Sequence, residues 1–233
     1  MAIKDIKFMN GEGYHLKDLP LSLDEYVAQM QLVSYDSFYD SYRKHRDDSG
    51  VEKTQFPPIV FSFYSVIFLS NRLPSPEALL QEYYKQNESV LHIDSDIVTY
   101  QGKTFQKVDL DARILRTYPS LVRDFHFYLM LVQENCFDKV IYSCKSDVAG
   151  IDLIVQHRGK KFTLSLFVNT NRGTLFKRIK NTFRHVYSNP EIPLPLDLQT
   201  AAKCGDFFVY GPADIAHVKA VIFGSKRKTI FRK

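Results

Sequence analysis

Residues 118–181 switch between two periodicities, and that switch limits the available folds more than any other feature of the chain. Leu121, Phe125, Tyr128, Leu129 and Val132 recur at spacings of three and four, the stripe of a helix with one face in a core. Three short runs rich in β-branched and aromatic residues follow, at 140–143, 151–156 and 162–168. The second and third are joined by Gln156-His157-Arg158-Gly159-Lys160, a tight connection with glycine where positive φ is needed. Beyond Asn169 a second helix is expected, with Lys177, Arg178, Lys180 and Arg184 on a basic face. In that order the elements read as a mixed α/β (α+β) arrangement.

Upstream, residues 20–90 read as mainly helical. Ser22 precedes Leu23-Asp24-Glu25 as an N-cap signal, and Tyr26, Met30 and Val33 recur near the helical period. Residues 35–46 continue with aromatic spacing, and Asp47-Asp48-Ser49-Gly50 has loop chemistry. The apolar run 56–69 begins with Pro57-Pro58 and is about 14 residues long. A bilayer span needs about 20, so this run is expected to be a buried helix opened by proline. Ser75-Pro76-Glu77 starts another helix, through about Gln86. Such a helical hairpin, with Arg72 and Lys85 outward, also has the outline of a DNA-reading helix-turn-helix. A β-hairpin is expected within 90–108, turning at Gly102. The division expected is a mainly helical region over 1–110, packed on an α/β core over 111–233.

That core resembles the PD-(D/E)xK nuclease-like superfamily, the restriction-endonuclease-like αβββαβ fold, over residues 118–223. The resemblance is carried by the element order, by Gly150-Ile151-Asp152 opening the second strand, and by the step from Asp152 to Ser165. It implies a later strand at 206–210 completing the sheet. In that family an acid on the second strand and a Glu-x-Lys on the third hold a divalent metal and activate water. Here Asp152 keeps the acid, while Ser165-Leu166-Phe167 occupies the Glu-x-Lys place. Ser165 is a poor ligand for a hard cation, and Phe167 brings no charge. If the site has migrated, Asp124 or Glu134 would join Asp152 on Mg²⁺ and Lys161 would supply the positive charge. Without metal, Asp152 is a strand-start acid binding turn amides, and Asp124 a solvated helix acid beside Arg123.

The turn after the third strand offers a phosphate site that needs no metal. Arg172, Gly173 and Thr174 lead into the helix bearing Lys177, Arg178, Lys180 and Arg184, where free amides and a positive dipole end suit an anion. A net charge of +5 permits a polyanionic partner, and five of the cations lie in the last nine residues. Cys136, Cys144 and Cys204 have no CxxC spacing, and the dispersed histidines make no HxxxH or HxH. No P-loop, dinucleotide fingerprint or Gly-x-Ser-x-Gly is present. The first fifteen residues hold no apolar signal core, so the expected compartment is cytoplasmic, with no membrane contact. Three functions remain open. The first is binding of DNA or RNA on a scaffold with a degenerate site and no cofactor. The second is an active Mg²⁺-dependent nuclease with a migrated site. The third is a protein–protein adaptor in a phage, transposon or defence complex.

Overall fold

The computed structural model describes residues 21–45, 48–148, 150–170 and 189–224, and it is a mixed α/β structure. Its helices and strands divide into two compact units. One holds Asp24–Arg123 with Cys204–Phe207. The other holds Asp124–Lys203 and the chain from Phe208 onward.

The first unit is mainly helical: α1 (Leu23–Leu32), α2 (Tyr35–Asp40), α3 (Ser49–Lys53), α4 (Ile59–Ser70) and α5 (Pro76–Gln86). Pro58 stands at the start of α4, and Asn71 ends that helix in the left-handed conformation (φ 53°). Ser75 caps α5, its hydroxyl accepting from the Ala78 amide at 3.2 Å, with Pro76 in the first turn. The loop expected at 47–50 is partly helix instead. Asp48 accepts the Val51 amide at 2.7 Å and caps α3, the role a short carboxylate plays as readily as a turn. The expected hairpin is a three-stranded antiparallel meander: β1 (His92–Asp94), β2 (Ile97–Tyr100) and β3 (Lys103–Gln106). Gln101 and Gly102 both take positive φ, as a two-residue turn requires.

Helix α6 (Lys107–Gln133) begins well before the residue 118–119 region and carries Pro119 inside it. Proline at that position deprives the Leu115 carbonyl of its helical donor. The Tyr35 hydroxyl donates to that carbonyl at 3.0 Å, so the lost bond is replaced from α2. The apolar stripe expected on this helix is too narrow a description. Every residue from 121 to 129 is buried, including Arg123, Asp124 and His126. Gly205 joins this unit at a close approach. It has φ 57°, and a Cβ there would lie 2.7 Å from the Met30 carbonyl oxygen.

The second unit is built on a four-stranded sheet: β4 (Lys139–Ile141), β5 (Leu153–His157), β6 (Lys160–Val168) and β7 (Glu191–Leu196), in the order β4-β5-β6-β7. Helix α7 (Cys144–Val148) lies between β4 and β5 in sequence. β4–β5 and β5–β6 are antiparallel and β6–β7 is parallel. A parallel pair needs a crossover, and the chain between Val168 and Glu191 is long enough for one. The fourth strand is therefore 191–196 and not the expected 206–210. That later segment contributes β9 (Phe207–Val209), paired only with β8 (Ala202–Cys204). The sequence Glu-Ile-Pro-Leu-Pro-Leu disguises β7, because proline argues against a strand interior. Ile192, Leu194 and Leu196 are buried, while Glu191, Pro193 and Pro195 are exposed. Pro190 and Leu196 turn their carbonyls to β6, accepting from Thr163 and Asn169. By the two-residue period, Pro193 and Pro195 turn their missing N–H groups to the free edge, where no ladder bond is lost. Helix α8 (Pro212–Gly224) follows, burying Ile215, Val218 and Ile222.

Candidate functional site

The register gives each face of the four-stranded sheet a distinct chemistry. Val140, Val155, Phe162, Leu164, Ile192 and Leu194 share one face and are buried. The opposite face carries Asp152, Ile154 and Gln156 from β5 and Lys161, Thr163 and Ser165 from β6. Its middle is nevertheless buried, with Asp152 at 4%, Thr163 at 6% and Ser165 at 3% exposure. This is a polar patch within a packed layer, and such groups must be hydrogen-bonded to persist.

Asp152 meets that requirement through the backbone. Leu153 is opposite Leu164, and continuing this register sets Asp152 opposite Ser165. Odd-numbered β6 residues direct their amides to β7, as Thr163 does to the Pro190 carbonyl, so even-numbered ones face β5. Leu166 is the even-numbered residue just past the end of β5. Its amide donates to Asp152 Oδ2 at 2.6 Å. The carboxylate thus prolongs the β5–β6 ladder where the backbone of β5 has turned away. The strand-start acid expected from the sequence is present, and the amide it holds belongs to the neighbouring strand instead of a turn.

The other carboxylates are placed differently. Asp124 is buried, not solvated as expected for an acid beside Arg123. Glu134 follows the end of α6 and is ion-paired with Lys219 of α8. Ten residues of helical rise, about 15 Å, separate Asp124 from Glu134 along the chain. Lys161 is exposed and shares the face of Asp152, but four residues of strand, about 13 Å, separate it from Ser165. That is further than a lysine side chain extends. Among the described residues no group of three or more His, Cys, Asp or Glu side chains is disposed to hold a metal ion. The turn and helix residues Arg172, Gly173, Thr174, Lys177, Arg178, Lys180 and Arg184 lie outside the described residues, as do the cations of 226–233.

Two features escaped the sequence reading. His126, one of seven scattered histidines, sits at 7% exposure on α6, and its Nδ1 has no hydrogen-bond partner among the described residues. Burial pushes its pKa down to about 4, so it is neutral near pH 7. The other is a row of side chains across three strands. Lys139 lies opposite Gln156, and Gln156 opposite Lys161, so all three point from one face. Spacing along the chain carries no signal for such a row, because register alone creates it. Among the described residues no helix is long and apolar enough to cross a membrane. Comparisons with protein-family models, curated proteins and solved structures found no match to this chain.

Proposed function

We propose that this protein binds nucleic acid on a nuclease-like αβββαβ scaffold and does not cleave it efficiently. The observation that supports this most directly is the place of Asp152. It sits at the head of β5, opposite Ser165 and two strands from the parallel partner β7, with one carboxylate oxygen committed to the Leu166 amide. The strand order and directions fit the scaffold that the sequence resembles. At the Glu-x-Lys place, Ser165 and Phe167 bring neither a second carboxylate nor a cation. Metal-assisted phosphodiester hydrolysis needs both a hard-oxygen ligand set and charge to offset the leaving oxygen. Binding needs only cations and amides, and the residues 172–184 supply these in sequence.

Fluorescence anisotropy with labelled single-stranded and duplex DNA and RNA, from low to high salt, tests the reading. Affinity is expected to fall with a log–log slope of about −0.9 per duplex phosphate neutralised, or about −0.7 for a single strand. No detectable binding at low salt for any of the four forms would sink it. Incubation with Mg²⁺ or Mn²⁺ is expected to leave the nucleic acid intact. Cleavage that Asp152→Ala abolishes would replace the binding reading with the nuclease one.

A further inference from the structure

The end of the four-stranded sheet carries exposed cations that the Asp152 region does not use. Lys139 at the start of β4 and Lys161 near the start of β6 point from one face, on either side of Gln156. With strands about 4.8 Å apart, their Cα atoms are about 10 Å from one another. Lys160, opposite His157, points from the other face, and Arg158 occupies the hairpin tip at φ 51°. All four cations are exposed, and among the described residues none is in an ion pair. Two acids lie close by: Asp138 accepts the Gly159 amide at 3.2 Å and so is held to the hairpin backbone, and Glu191, opposite Thr163, stands at the start of β7 on the face of Lys161.

An aromatic ring lies at the same sheet end, on the face of His157 and Lys160 and opposite that of Lys139 and Lys161. Phe223, in the last turn of α8, packs its ring on His157 with centroids 4.8 Å apart and on Phe137 at 5.9 Å, yet stays 38% exposed. A partly open ring at a sheet end that carries unpaired cations on both faces suits a single strand of nucleic acid wrapped round that end. Cations track the backbone, and a ring stacks an unpaired base whatever its identity. An anionic membrane would also meet the charge, but insertion asks for a broad apolar face. Here the apolar contribution at the rim is chiefly one ring.

We infer that this sheet end, formed by Lys139, Arg158, Lys160 and Lys161 with Phe223, is a binding surface for the backbone and bases of single-stranded nucleic acid. The inference rests on the nucleic-acid-binding reading above and adds the location and the strandedness. It uses no residue of the Asp152 region.

The test uses the full chain and a fluorescein-labelled oligothymidylate, with Lys139→Glu/Lys161→Glu compared against Lys53→Glu/Lys103→Glu, an equal charge change at exposed positions of the helical unit. The first pair is expected to weaken binding at least tenfold more than the second and to make the salt slope shallower by about 1.4, two phosphates at about 0.7 each. Phe223→Ala should weaken binding with the salt slope unchanged, and Phe223→Tyr should retain it. Thermal melts show whether each variant is folded. Equal losses from the two charge-reversal pairs would overturn the surface while leaving nucleic-acid binding intact. No oligothymidylate binding by the unsubstituted protein would also overturn the surface, and only failure of all four nucleic-acid forms to bind would defeat the reading on which the inference rests. Binding to phosphatidylserine vesicles that Lys139→Glu/Lys161→Glu abolishes, without oligonucleotide binding, would reassign the surface to a membrane.

Discussion

The helical unit and the sheet unit bury polar groups in different proportions. In the helical unit phenols are prominent donors, beside the buried hydroxyls of Ser62 and Ser65. Tyr26, Tyr35, Tyr83 and Tyr118 each donate to a carbonyl, of Val122, Leu115, Pro57 and Pro74. Tyr84 donates to Asp111 at 2.6 Å, and Lys107 meets the other oxygen of that buried acid at 2.8 Å. The sheet unit uses a phenol once in this way, Tyr210 donating to the Leu194 carbonyl at 2.9 Å, but there a carboxylate also accepts from a strand amide, and a histidine is enclosed in its neutral form. Burial pushes the pKa of Tyr35, Tyr83, Tyr84 and Tyr118 up and that of His126 down. Folding therefore holds protons on one unit and keeps a proton off the other.

The largest effect expected is the acid response that follows from this contrast. His126 changes from an ordinary 6.5 to about 4 in the folded protein. Between those values the unfolded chain binds the proton and the folded one does not, so stability falls as pH drops from 6.5 to 4. At about 1.4 kcal/mol per pH unit the loss is about 3 kcal/mol. Urea denaturation of the protein and of His126→Leu at pH 7 and pH 4 measures it, and the variant should lose less by about that amount. Above pH 10 the sign reverses. The folded state retains phenolic protons that the unfolded chain releases, so stability is lost as pH rises. Equal acid losses in protein and variant would break the comparison on its sheet side.

Much of the architecture was legible because local chemistry decides it. Ser75-Pro76 has the chemistry of a helix start, and Arg158-Gly159 that of a hairpin turn, and each is found there. β7 was not legible, since its prolines are tolerated through an edge position that sequence does not reveal. Nor was the true start of α6, since Pro119 looks like a first-turn residue until Tyr35 is seen to replace the lost donor. At the candidate site, Asp152 was recognisable as a strand-start acid. Its hold on Leu166 depends on where β5 ends relative to β6, which is a matter of register. The burial of Asp124 was missed for a similar reason: a helix buried all round between residues 121 and 129 has no polar face for periodicity to find.

The next effect sharpens the contrast between the two buried acids. Asp152→Ala would leave the Leu166 amide without its acceptor, a cost of about 1–3 kcal/mol. Asp152→Asn keeps a carbonyl oxygen in the same place and is expected to cost less than Asp152→Ala, because the Leu166 amide keeps an acceptor. Asp111 faces an ammonium as well as a hydroxyl. There the asparagine should behave more like the alanine, with a loss of about 1.5–3 kcal/mol for a charged hydrogen bond. Denaturation midpoints for the four variants decide the matter. If Asp152→Asn were as costly as Asp152→Ala, the charge of Asp152 would matter in the folded protein, and its description as a ladder extension would fail.

The smallest effect concerns a bond in the helical unit that takes the place of one lost to a proline. Pro119 leaves the Leu115 carbonyl without a helical donor, and the Tyr35 hydroxyl occupies it at 3.0 Å. Tyr35→Phe keeps the ring and its packing against Tyr39, Tyr118 and Phe207 while removing the donor. A buried carbonyl without its partner should cost about 1 kcal/mol. Pro119→Ala restores an N–H to the helix, so the same carbonyl then has a backbone donor whether or not the phenol is present. Tyr35→Phe should therefore cost less in the Pro119→Ala background, with a coupling of about 0.5–1 kcal/mol in a double-mutant cycle. Additive losses would mean that the phenol is held by its surroundings and not by the vacancy proline creates. In that case the tyrosines of this unit would be packing residues whose hydroxyls merely find acceptors, and the proposed division of labour between the two units would rest on the sheet side alone.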